Sequence, residues 1–153
     1  MQLFRILFLI TLGFALAGCD NQITFDEQLE LDKSLIADYV AANNLVGEYT
    51  SGGVFYGFTK EGNTTYPTTA NTVEVIYTGK LLDGTVFDSS QGFPISFSLF
   101  QVIAGWQQGM VNFSEGSIGY LLIPSSLAYG RNGSGIIPPN SVLYFDIELL
   151  DVR

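Results

Sequence analysis

Thr72-Val73-Glu74-Val75-Ile76-Tyr77-Thr78-Gly79-Lys80-Leu81-Leu82-Asp83-Gly84-Thr85-Val86-Phe87-Asp88 is the most informative run in the chain. Residues 72–82 alternate, with Val73, Val75 and Tyr77 on one face, the period of a half-buried strand. Asp83-Gly84 supplies a hairpin-turn signal, and Thr85–Asp88 returns as the next strand. On either side the composition stays β-branched and aromatic, punctuated by glycine. Val54–Phe58 reads as an earlier strand and Glu61–Thr72 as a polar connection. Ser117–Ile123 and Ser141–Val152 read as later strands, and in the last one Leu143, Phe145, Ile147 and Leu149 share a face. Gly105 to Val111 has room for only about two helical turns, and Trp106 lies on it. Strands outnumber helices and the turns are tight. The expected class is α+β, an antiparallel β-sheet curved around one short helix.

Before the sheet, Asp26 to Asn43 reads as an N-terminal helix. Thr24 with Glu27 forms a capping box, and Asn43-Asn44 supplies a left-handed stop. Phe25, Leu29, Leu35, Ile36, Tyr39 and Val40 fall on one side of a 3.6-residue period, a stripe that Asp32 interrupts. Such a helix is a dimerisation arm, a spacer, or an element packed on its own domain. Earlier still, Arg5 precedes an apolar run from Ile6 to Leu16, followed by Ala17-Gly18-Cys19. A membrane-spanning helix needs ~20 apolar residues, so this shorter run reads as a signal-peptide core. The expected organisation is a leader over 1–18, a tether and helix over 19–50, and a sheet domain over 51–153.

The inventory excludes most catalytic chemistry. With 6 Lys+Arg against 15 Asp+Glu the formal charge is −9. A surface that acidic repels phosphate backbones, so no nucleic-acid partner is expected. The chain has no histidine and 1 cysteine. Ser-His-Asp and Cys-His nucleophiles, imidazole shuttles, thiolate clusters and internal disulfides are therefore out, and no metal is expected. Asp83, Asp88, Glu115 and Asp146 are scattered singly, without the pairing that glycoside hydrolysis needs. Ser89-Ser90 and Ser125-Ser126 lie outside any Gly-x-Ser-x-Gly elbow, and Gly130-Arg131-Asn132-Gly133 lacks the Lys-Ser/Thr of a phosphate loop. What remains is aromatic: 8 Tyr, 12 Phe and 1 Trp.

Ordered blocks carry a resemblance. They are Val75-Ile76-Tyr77-Thr78-Gly79, Asp83 to Ser90, Val102-Ile103-Ala104-Gly105-Trp106 with Gly109, and Ile123-Pro124. Leu127-Ala128-Tyr129-Gly130, Gly135-Ile136-Ile137-Pro138-Pro139 and Leu143 to Leu150 follow. Over roughly residues 53 to 152 the chain resembles the FKBP-type peptidyl-prolyl cis-trans isomerases, enzymes that rotate X-Pro bonds and need no cofactor. The resemblance implies a proline-binding bowl of Tyr77, Phe87, Val102, Ile103, Trp106, Tyr129 and Phe145, with Trp106 as its floor and Phe97 on the strand beside it. It further implies that the Ile103 N–H and the Tyr129 hydroxyl donate to carbonyls. Asp88 matches a semi-buried carboxylate near the Tyr77 hydroxyl, and Ile136 and Ile137 match a flap over the rim. Without the family, Val102, Phe97 and Phe145 read as core, Trp106 as a packing anchor and Asp88 as a turn-former.

Leu16-Ala17-Gly18-Cys19 looks like the lipobox of bacterial lipoproteins. That implies a lipid on Cys19 and attachment to a membrane of the cell envelope. The implied partners are proline-containing polypeptides, in the service of protein folding. A non-catalytic chaperone or binding module on the same scaffold is the alternative, and a purely structural envelope lipoprotein a third reading. The sequence departs from the family at the rim. The connection from Ser90 to Pro94 is short and lacks a basic residue. Ile95 stands where many members have an aromatic ring, and Ser134 where a histidine is common. Macrolide-inhibitor binding is accordingly expected to be weakened.

Overall fold

The computed structural model describes residues 23–153. Helix α1 spans Phe25–Ala42 and starts as the sequence specifies. Glu27 donates its N–H to Thr24 Oγ1 at 3.2 Å, and Thr24 donates its own to Glu27 Oε2 at 2.8 Å, satisfying two otherwise orphan donors. At the other end Asn44 takes the left-handed conformation, φ 52°, so that Leu45 N–H reaches back to the Val40 carbonyl at 3.0 Å.

The remainder is one antiparallel sheet built from β1 (Glu48–Tyr49), β2 (Phe55–Lys60), β3 (Thr72–Leu81), β4 (Val86–Ser89), β5 (Ile95–Ser98), β6 (Ile118–Ile123) and β7 (Leu143–Val152). The order across it is β1-β2-β6-β7-β3-β4, with β5 also on β3. The strands expected from alternation are present, their ends shifted by one or two residues. β1 and β5 are not among the strands read from alternation, because both are too short to show a period; β5 enters only as the strand that the resemblance places at Phe97. Helix α2 (Ala104–Met110) lies on one face of the sheet and α1 on the other.

Alternation along the strands builds both faces. Leu121 and Ile123 on β6, and Leu143, Phe145, Ile147 and Leu149 on β7, pack inward with Val73, Val75, Trp106 and Met110 in the main core. Tyr120, Leu122 and Tyr144 point the other way and form a second cluster with Phe55, Val142 and Ile36 of α1. Of the three readings of α1, the structure has the helix packed on its own domain.

The helix buries most of the marked stripe, on a face turned toward Asp32 so that two of the stripe's members are left out. Ile36 is buried, and Tyr39 and Val40 are half-buried, but Phe25 and Leu35 face solvent. Asp32, which breaks the stripe, is fully buried. Its carboxylate accepts from Ser125 N–H at 2.7 Å, Ser125 Oγ at 2.6 Å and Gln28 Nε2 at 2.8 Å. A buried carboxylate is tolerated where its lone pairs are met, and hydrogen bonds meet them here. The leader and Cys19 lie outside the described residues. Among the described residues no helix is long and apolar enough to cross a membrane.

Candidate active site

The site forms where one edge of β3 changes partner. Residues 72–75 pair with β5 and residues 78–80 with β4, leaving Tyr77 at the break. Buried Ser90 fills the gap, donating its N–H to the Tyr77 carbonyl at 3.0 Å and accepting the Tyr77 N–H on Oγ at 3.2 Å. Gly79 follows on the same face. A Cβ there would lie 2.6 Å from the Phe87 ring and 2.9 Å from that of Phe145, so only glycine lets these two rings close over β3.

Helix α2 brings the floor. Gly105 and Gly109 face β6, where added Cβ atoms would stand 2.1 Å from Ile123 and 2.5 Å from Leu121. Without those carbons the short helix settles directly on the sheet, and Trp106 between them sinks to 4% exposure. The indole meets Tyr77, Phe97 and Phe145 at centroid distances of 5.6, 5.8 and 5.4 Å and interplanar angles of 87°, 73° and 86°. Phe87 meets Phe145 at 5.5 Å and 85°. Edge-to-face pairs of this kind contribute ~0.5–1.5 kcal/mol each beyond area burial, enough to hold the bowl in one shape.

Polar groups are few and sit at the edge. The Tyr77 hydroxyl donates to Asp88 Oδ2 at 2.6 Å. Burial, then this hydrogen bond and the carboxylate charge, push the phenol well above its usual range, so it remains a neutral donor. Ile103 precedes the first turn of α2, where the helix supplies no acceptor for its N–H. Gln107 Nε2 donates to the Val102 carbonyl at 2.9 Å and fixes that approach to the helix. Tyr129 stands at the mouth, 39% exposed.

Nine of the expected residues thus line one cleft of about 200 Å³, open at its mouth: Tyr77, Phe87, Asp88, Phe97, Val102, Ile103, Trp106, Tyr129 and Phe145. Gln101 joins them and was not anticipated, since a lone polar side chain carries no periodic signal. Asp88 is exposed as a residue, because alternation on the edge strand β4 turns Phe87 toward the bowl and leaves only the carboxylate tip to reach Tyr77. Ile136 and Ile137 do not line the cleft. Ser134 and Ile137 bridge through paired backbone hydrogen bonds, which turns Ile137 into the main core and leaves Ile136 62% exposed at the tip.

A family model described as FKBP-type peptidyl-prolyl cis-trans isomerase matches residues 63–150, more than half of the chain. The chain belongs to this family. The match covers the rings and the donors of the cleft together. The FKBP-type isomerase FkpA of Aeromonas hydrophila is 44% identical over 120 residues, 76% of this chain and 45% of its own length. FkpA of Escherichia coli K12 is 46% identical over 106 residues, 68% of this chain and 39% of its own. This FKBP chain therefore spans less than half the length of either relative. The crystal structure of E. coli FkpA superposes with a TM-score of 0.71 at 38% identity, covering 84% of this chain and 62% of that one. A peptidyl-prolyl cis-trans isomerase from Pseudomonas syringae pv. tomato gives 0.74 at 32%, covering 86% and 98%.

Proposed function

We propose that this FKBP domain is a prolyl isomerase that rotates X-Pro bonds in exported polypeptides at the bacterial envelope, held to a membrane by a lipid on Cys19. The ring of edge-on aromatics around Trp106 carries the reading. Rotation about an X-Pro bond faces a barrier of ~18–20 kcal/mol because amide resonance is lost midway. No covalent bond breaks, so neither nucleophile nor cofactor is required. A twisted amide is less dipolar than a planar one, and an apolar bowl that excludes water favours it over the ground state. In this reading proline enters the bowl over Trp106, against Phe87, Phe97, Val102 and Phe145. The Ile103 N–H and the Tyr129 hydroxyl hold flanking carbonyls, and Asp88 fixes the Tyr77 hydroxyl at the wall. Ile136 acts at the rim as the exposed tip of a flap, and Ile137 supports it from the core.

The same proposal takes residues 1–18 as the leader, 19–50 as the lipidated tether and helix, and 51–153 as the isomerase unit. Macrolide inhibitors should bind weakly, because Ile95 shares the Phe97 face of β5 by alternation and offers no ring at the rim. The deciding experiment is a proline-peptide isomerisation assay on the full chain. Turnover above the uncatalysed rate supports the enzyme. Peptide binding with only background turnover would move the assignment to a non-catalytic binding module.

A further inference from the structure

The buried carboxylate of Asp32 lies on α1, outside the cleft and apart from every residue assigned to it. Both hydrogen bonds it receives from Ser125 lie at the start of the turn Ser125–Leu127, which ends two residues before Tyr129. Within that turn Leu127 N–H returns to the Pro124 carbonyl and Ala128 N–H to the Ser125 carbonyl, each at 3.0 Å, so the placement of Ser125 fixes the path to Tyr129. Beyond Tyr129, the Arg131 guanidinium of the turn Gly130–Asn132 donates to the Ile23 carbonyl, just ahead of α1. The N-terminal segment thus holds the Tyr129 loop on both sides. On the α1 side the bond is to the Asp32 carboxylate, whose other partner among the described residues is Gln28 on the same helix. An uncharged or apolar residue would cost less to bury at this site, unless the loop needs its two donors met.

We propose that Asp32 is a positioning residue for the peptide site: through Ser125 it sets where Tyr129 stands at the mouth of the cleft. The proposal rests on the assignment of Tyr129 to peptide binding. It gives α1 a task in catalysis, with the helix acting as a clamp on the loop that touches substrate. Ser125 reaches across the chain from residue 32, so the sheet domain cut at Ser51 would lose the clamp with the helix. Loss of the clamp leaves the Trp106 floor intact and lets the Tyr129 loop wander. Its signature is therefore weaker peptide capture with the rotation step little changed.

The test uses the full chain and a proline tetrapeptide, with KM and kcat separated. Asp32→Ala should raise KM by on the order of tenfold with kcat within about twofold, the scale expected when a contact is mispositioned by a fraction of an ångström. Asp32→Asn, which keeps an oxygen acceptor for Ser125, should restore most of the loss. Amide hydrogen exchange should quicken over Ser125–Arg131 in the alanine variant and stay unchanged in β6 and β7. The double variant Asp32→Ala/Tyr129→Phe should be little worse than Tyr129→Phe alone. Full additivity in that cycle, or unchanged exchange over the loop, overturns the proposal. A silent Tyr129→Phe in an active enzyme overturns the Tyr129 assignment and this proposal with it. If the wild-type chain binds the peptide without turnover, Trp106 fluorescence titration gives the same comparison as dissociation constants. A chain that neither binds nor turns over the peptide removes the site reading itself.

Discussion

Trp106 is buried and, in the proposed mechanism, also the floor under proline, so a substitution must separate the two roles. Trp106→Ala should cost ~3–5 kcal/mol of stability, measured by denaturant unfolding, and abolish most isomerase activity. Trp106→Leu keeps bulk and removes the face; a folded leucine variant with near-normal kcat/KM would sink the floor assignment. A pH series probes the polar edge. With no histidine in the chain, kcat/KM should be flat from about pH 6 to 8.5 on a substrate with no titrating group, and a bell centred near neutrality would demand an acid and a base that the cleft lacks. Stability has its own pH edge. The Tyr77 and Tyr144 phenols are both raised in the fold, chiefly by burial and then by bonds to Asp88 and Asp146. The folded state therefore keeps protons that the unfolded chain releases. Their contribution is complete below pH 10, the ordinary phenol value, and is lost as pH climbs beyond it. The denaturation midpoint should hold to about pH 10 and then fall; a rise would contradict the buried, carboxylate-bonded phenols. Most of these residues were legible from motif order, because the cleft is built by blocks whose spacing the fold preserves. Gln101 was not legible, and the exposed setting of Asp88 depends on which way an edge strand turns.

At the scale of elements, glycines decide how near α2 comes to the sheet. Gly109→Ala places a methyl 2.5 Å from Leu121. Relief requires the helix to lift, so the variant should lose ~1–3 kcal/mol and also activity, because Trp106 rides on the same two turns. Full activity in a destabilised variant would show that the floor is insensitive to the seat of the helix. The strands of the main core were readable because residues such as Val73, Val75 and Tyr77 alternate strictly against solvent. The N-terminal helix was readable in its ends and in only part of its face. Its caps are local chemistry, written within a few residues of Thr24 and Asn44. Its buried side is set by a distant partner, Ser125, whose two donors meet the Asp32 carboxylate. Hydrophobicity ranks Phe25 and Leu35 above Asp32, and the fold uses them in the reverse order.

For the molecule as a whole, attachment is the first matter to test. Cys19→Ser should leave a precursor without lipid, since a hydroxyl is a far poorer nucleophile than a thiol. Metabolic labelling that still places lipid on the serine variant would refute the anchor. The sheet order has a consequence for how such a molecule comes into being. The last strand, β7, lies between β6 and β3 and brings Phe145 to the rings of Trp106 and Phe87. A polypeptide delivered from its amino end presents Tyr77, Phe87 and Trp106 to solvent before the residue that closes them together has emerged. Until β7 arrives, the aromatic surface is unguarded and has no shape in which to hold a proline. The cleft is thus complete only once β7 has been delivered, and a copy stopped short of it lacks the residue that joins the two rings.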